Sequence, residues 1–286
     1  MKRNYLSLIL GAAMIFGFSS CQKEGAIETS IQNAEDEAVA ESMFSQALSE
    51  ADDLGEFTAL FGEEPGNVVV ESTVPPVTPP VATGSRIVTI TPQIGFPRTI
   101  TIDFSNWKVG EQREKNGIIR IVITGPMHRA GTSRTVTYEN FTIGGNRIEG
   151  TKTVTNVDGV NLTIRLVGGK ITFQDGTTLA REVNRNRQWV AGMLTPRFIW
   201  DDEYNITGTV SGVNRAGKEY SVNITTPLVR RMACLWIVQG AVTINTGNRS
   251  LVLDYGTGTC DDLATVTANG ETREIVLPRT PPRRRW

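Results

Sequence analysis

Adjacent carboxylates beside aromatic rings are the usual equipment for hydrolysing sugars, and this chain has one such group, Asp201-Asp202-Glu203 between Trp200 and Tyr204. Glycoside hydrolysis needs two carboxyls facing each other across a cleft, roughly 5 to 9 Å apart. Neighbours on a strand point to opposite faces, so the group reads instead as a charged loop at the start of a strand. The single histidine, His128, sits in Pro126-Met-His-Arg-Ala-Gly131 and cannot build a histidine metal cluster, nor does it have an evident nucleophile partner. The run from Leu253 to Asp262 places Asp254, Asp261 and Asp262 around two glycines, which makes calcium the one cation worth testing. It lacks the alternating acidic series and closing glutamate of a helix-loop-helix calcium site, and reads as a tight connection around Cys260. No strand, glycine loop and helix arrangement for a nucleotide is present. The expectation is a non-enzymatic chain with no cofactor other than that candidate calcium.

The better-supplied chemistry is recognition of anions. Arg181, Arg185 and Arg187 lie close to Trp189, Arg230-Arg231 precede Trp236, and the chain ends Arg283-Arg284-Arg285-Trp286. Arginine forks suit carboxylates and phosphates, and aromatic faces suit stacked sugars. Arg181, Arg185, Arg187, Trp189, Trp200 and Trp236 are therefore the candidate ligand contacts, for an anionic glycan, a lipopolysaccharide phosphate or an envelope protein. The alternative to a featureless basic surface is a glycan-binding or adhesin module, in which the tryptophans would form a flat platform.

The partner class follows from the start of the chain. Lys2 and Arg3 precede an apolar run from Tyr5 to Phe18, which ends in Ser19-Ser20-Cys21. That run has the length of a signal segment and falls short of the roughly 20 residues a membrane helix needs. A basic start, an apolar core and Ser-Ser-Cys followed by the polar Gln22-Lys23-Glu24 resemble the leader and tether of Bacteroidetes-type bacterial lipoproteins, apart from Phe18 where leucine is usual. The resemblance covers only this leader and tether. It implies cleavage before Cys21, acylation of that cysteine with palmitate-type chains, and attachment to the outer membrane on its periplasmic face or at the cell surface. Nucleic acid is then excluded as a partner by address.

With Cys21 given to lipid, Cys234 and Cys260 remain as an even pair in an oxidising compartment, which predicts a bridge worth roughly 3 kcal/mol. Charge is divided as well. From Lys23 to Glu64 twelve carboxylates face one lysine, near -11, whereas the remainder is near +8. Such asymmetry suggests an internal attraction between the parts.

The elements that must position these groups follow from periodicity. Ala40, Phe44, Ala47, Ala51 and Leu54 recur at helical spacing with an acidic opposite face, which predicts a short helix between Ile31 and Phe61. Whether its apolar face docks on the following domain or lies in a solvated stalk is open at this level. A spacer with Pro75-Pro76 and Pro79-Pro80 follows; such segments extend about 3.1 Å per residue, so it would hold the next domain off the membrane.

From Arg86 the period becomes two, as in Ile100, Ile102 and Phe104 or Val160, Leu162, Ile164 and Leu166, with glycine and Asx pairs between the runs. The expected fold class is all-β, an antiparallel meander forming a sandwich or barrel. Arginines interrupting both faces argue against a lipid-facing barrel. The boundaries are a signal over 1–20, tether and spacer over 21–85, a β-domain over 86–278 and a basic tail over 279–286. A weak echo relates Phe141–Val154 to Tyr204–Val210.

Overall fold

The computed structural model describes residues 82–110, 113–195 and 198–277, together with six helical residues of the acidic segment: Ala34, Glu37, Ala40, Glu41, Met43 and Phe44. Cys21, Ala47, Ala51, Leu54, the spacer and the tail lie outside the described residues.

The strands are β1 (Ala82–Thr91), β2 (Arg98–Val109), β3 (Lys115–Ile123), β4 (Ser133–Ile143), β5 (Asn146–Asn156), β6 (Asn161–Thr172) and β7 (Thr178–Ala191), then β8 (Glu203–Val213), β9 (Glu219–Arg231), β10 (Ile237–Thr246), β11 (Arg249–Thr257), β12 (Leu263–Ala268) and β13 (Glu271–Val276). All thirteen form one antiparallel sheet in which each strand pairs with its sequence neighbours. The expected meander is therefore the fold, and β1 begins at Ala82, four residues before the expected boundary. Gly144-Gly145, Asp158-Gly159, Asp175-Gly176 and Asn269-Gly270 fall in hairpin turns, as glycine and Asx pairs predict. Asn269 and Gly270 both take positive φ, 52° and 82°, the backbone twist that a two-residue hairpin requires. Gly168-Gly169, expected as a turn, instead marks a register shift inside β6 between Leu166 and Gly169. The echo fails too: its first copy spans the β4–β5 hairpin and its second lies within β8 alone.

Alternation decides which face is buried. Ile100 and Ile102 on β2 oppose Ile121 and Ile119 on β3, and all four are fully buried. The inner face carries two apolar cores. The first joins β2 to β7 and includes Phe104, Phe141 and Ile171; the second joins β8 to β13 and includes Val222, Leu253 and Val266. Val183 of β7 packs against both, so β7 is the seam.

The acidic helix lies over that seam. Ala40, Met43 and Phe44 belong to the first core and Ala34 to the second. The question left open by the sequence is thereby answered: the helix docks on the β-domain. Its described positions recur at steps of three and four, which sets them on one face. Met43, fully buried, was absent from the sequence-derived face.

Candidate functional site

Strand β7 was not recognised as a strand from its sequence, and it carries the densest chemistry in the molecule. Because side chains alternate along a strand, Leu179, Arg181, Val183, Arg185, Arg187 and Trp189 share the inner face, while Glu182, Asn184, Asn186 and Gln188 face outward and are exposed. Four of the six residues proposed as ligand contacts are thus brought together in a single stripe.

At the Arg181 level the helix supplies the anions. Arg181 is almost completely buried, and its Nη2 lies 3.0 Å from Glu37 Oε1 and donates also to Glu41 Oε2. Arg185 Nη1 donates to the same Glu41 oxygen at 3.0 Å. Glu37 and Glu41 are four residues apart, one helical turn, so both carboxylates reach the stripe from above. Burial pushes the Glu37 carboxyl up despite the pull of Arg181. For Glu41 the cost of burial is outweighed by Arg185, Arg181 and Lys152, which hold its carboxyl down at about 2. Half of the Glu41 side chain is exposed, so water screens part of that attraction and the buried Arg181–Glu37 pair dominates the energetics.

The sheet makes room for this pair with glycine. Arg181 is paired with Gly169 on β6 and Gly212 on β8, so neither cross-strand neighbour has a side chain on the inner face beside the guanidinium. A Cβ at Gly212 would meet the Ala180 carbonyl oxygen and the Tyr220 ring.

The other end of the stripe has a different character. The Arg187 guanidinium lies 4.3 Å over the Tyr204 ring, and Trp189 stacks on Tyr204 at 6.0 Å. Both residues are half-buried, and Arg187 Nε and Trp189 Nε1 are buried without a hydrogen-bond partner. This end could offer a ring face and a cation to an anionic sugar. Trp200, in the 3-10 turn Ile199–Asp201, is half-buried. Trp236 packs into the second core and against Val229, Cys234 and Val238. None of the three tryptophans is exposed, and Trp189 and Trp236 pack against their neighbours.

The carboxylates beside Trp200 have structural partners. Asp201 accepts from the Thr195 hydroxyl at 2.5 Å, buried Asp202 from the Tyr204 hydroxyl at 3.0 Å, and Glu203 from Arg231 Nε at 2.9 Å. His128 is exposed in the β3–β4 loop. Asp254 and Asp261 border an open pocket of about 250 Å³ together with Glu274. Each accepts from a backbone amide two residues on, Gly256 at 2.8 Å and Leu263 at 3.0 Å, as tight connections do. Among the described residues no three His, Cys, Asp or Glu side chains gather to hold a metal ion.

Cys234 and Cys260 stand at disulfide distance, with Sγ atoms 2.07 Å apart. The pair ties the β9–β10 loop to the β11–β12 loop, where Arg231 also donates to the Gly258 carbonyl at 2.8 Å. The bridge closes a loop of 26 residues, for which chain entropy gives about 3 to 4 kcal/mol. Cys234→Ser with Cys260→Ser is expected to lower unfolding stability by that amount in urea titration while leaving β2–β7 intact.

Glu37, Glu41, Tyr204 and Gly212 were missed by the sequence reading as parts of this site. The available signal was complementary spacing: carboxylates one helical turn apart and arginines an even number of residues apart. No family model, curated protein or solved structure matches this chain.

Proposed function

We propose that this chain is a lipoprotein of the cell envelope, held in the outer membrane through acylated Cys21, and that its β-domain is a non-enzymatic binding or structural module seated close to the bilayer. The observation that carries this reading is the docked helix. Ala34 follows Cys21 by thirteen residues, which reach at most about 45 Å. If the helix stood free, the sixty-one residues from Cys21 to β1 could reach about 210 Å. A docked helix leaves only those thirteen residues between the anchor and the domain, which supports a domain held near the bilayer. The partners of Asp201, Asp202, Glu203, Asp254 and Asp261 support a binding or structural role, since each of these is engaged in holding a turn or strand end. The half-buried Arg187–Tyr204–Trp189 end favours an anionic glycan as the second reading, tested by tryptophan fluorescence during titration with a uronic-acid oligosaccharide.

Anchorage is tested by labelling cells with alkyne-palmitate. The wild-type chain is expected to take up label and fractionate with outer membrane; Cys21→Ala is expected to lose the label entirely and become soluble on lysis. Equal labelling of both would remove the proposal.

A further inference from the structure

The arginines on the inner face of β7 outnumber the carboxylates that reach them. Arg181, Arg185 and Arg187 share that face, whereas the described residues of the helix bring only Glu37 and Glu41, and these go to Arg181 and Arg185. Among the described residues Arg187 forms no ion pair, and its guanidinium lies over the Tyr204 ring. Hydrogen bonding falls short along the same line. Arg181 Nη1, Arg185 Nε, Arg187 Nε and Trp189 Nε1 are all buried without an acceptor. Buried donors are nearly always satisfied, so four orphans on one face of one strand mark a place where acceptors belong.

The carboxylate at the boundary of the occupied half is also the one that water reaches. Glu41 accepts from Arg181 and from Arg185 through a single oxygen, Oε2, and half of its side chain is exposed, whereas Glu37 is buried with Arg181. Arg185 is therefore shared ground. It is tied to the helix through Nη1, keeps Nε without an acceptor, and precedes Arg187 by two residues, about 7 Å at 3.3 Å per residue. An anionic chain seated on Arg187 meets Arg185 next, and there it faces Glu41 as a like charge.

We infer that the stripe from Arg185 to Trp189 is a groove for a carboxylated glycan and that the acidic helix is its built-in competitor: a uronic-acid chain spanning Arg187 and Arg185 displaces Glu41 and loosens the docked helix. The inference rests on the second reading above for its ligand and adds the coupling. The two ends of the stripe favour a glycan over an acidic peptide. Where the chain's own helix sits, Arg181 is flanked by Gly169 and Gly212, which leave room for a helix. At the open end the half-buried Trp189 and Tyr204 stand beside Arg187 and supply ring surface for a pyranose. Coupling of this kind is reciprocal: whatever factor the docked helix takes from glycan affinity, the bound glycan takes from helix docking.

The test is calorimetric titration of the mature chain carrying Cys21→Ser with a galacturonate hexamer at low salt. Adding Glu41→Gln removes the competing charge and is expected to tighten binding about tenfold, within the usual range for coupled sites. Arg187→Gln is expected to weaken binding about tenfold, with near-ultraviolet circular dichroism unchanged. Arg165→Gln, at an exposed position on the outer face of β6, leaves it unchanged. Without any of these three substitutions, saturating hexamer is expected to speed hydrogen–deuterium exchange of the peptide from Ala34 to Phe44, which a static binding surface would not do. Binding that Arg187→Gln weakens but Glu41→Gln does not change, with helix exchange unaltered, keeps the glycan reading and overturns the competition. Absence of binding with and without Glu41→Gln removes both. Equal loss in Arg187→Gln and Arg165→Gln, which means charge attraction without a site, or tighter binding of polyglutamate than of the hexamer, which makes the partner a protein, overturns the inference as well.

Discussion

Arg181→Leu is expected to release the acidic helix from the sheet. Arg181 is the most completely enclosed charge among the described residues, and its removal leaves the buried Glu37 carboxylate without its ion-pair partner, with only the more distant attraction of Arg185. Stranding one member of a buried pair costs about 3 to 5 kcal/mol when the charge has to stay. Here it need not stay, because the helix can leave and carry Glu37 and Glu41 into water. The loss is then limited to the helix's docking energy, and the response is local: faster proteolysis between Ala34 and Phe44, with the strands kept. The companion variant separates charge from packing. Arg181→Leu combined with Glu37→Leu is expected to return docking to within about 1 kcal/mol of wild type, since replacing both members of a buried pair by apolar groups is near neutral. If the double variant were as loose as the single one, the attraction would not be what positions the helix.

Gly212→Val is expected to reach further, because it acts on the sheet and not on the helix. Its Cβ would fall on the Ala180 carbonyl oxygen, and the Tyr220 ring lies 3.0 Å away on the other side. Neither neighbour can yield cheaply: one is backbone of β7 and the other a buried ring. The β7–β8 pairing must spread where Arg181 is held, and overpacking of this kind costs about 1 to 3 kcal/mol or more. The expected result is a lower urea midpoint together with loss of helix protection. Gly176→Ala is the control. Gly176 sits in a turn with φ of +80° and open space around it, so only backbone strain applies and the helix should remain docked.

These two positions show where the sequence was readable and where it was not. Alternation in Ile100, Ile102 and Phe104 identified β2 because its inner face is aliphatic, and Asn269-Gly270 identified a hairpin because few other pairs accept positive φ twice. Strand β7 escaped because three of its six inner positions are arginine, Arg181, Arg185 and Arg187, so hydropathy shows no clear period although burial does. What makes those positions inner is a helix some 140 residues earlier, a long-range pairing that no local window contains. The same reason left the helix's destination open: an apolar face shows that something covers it, not what. The six anion-binding candidates divide in consequence: Arg181 and Arg185 already hold the chain's own carboxylates, and Arg187 with Trp189 remains at the open end of the stripe.

Hydrogen–deuterium exchange of the mature chain tests the central claim most directly. A peptide covering Ala34 to Phe44 is expected to exchange as slowly as β7 in the wild type and to lose that protection in Arg181→Leu while β2 and β3 keep theirs. Exchange of that peptide at the rate of an unstructured chain in the wild type would contradict the account, because the tether would then be a stalk after all.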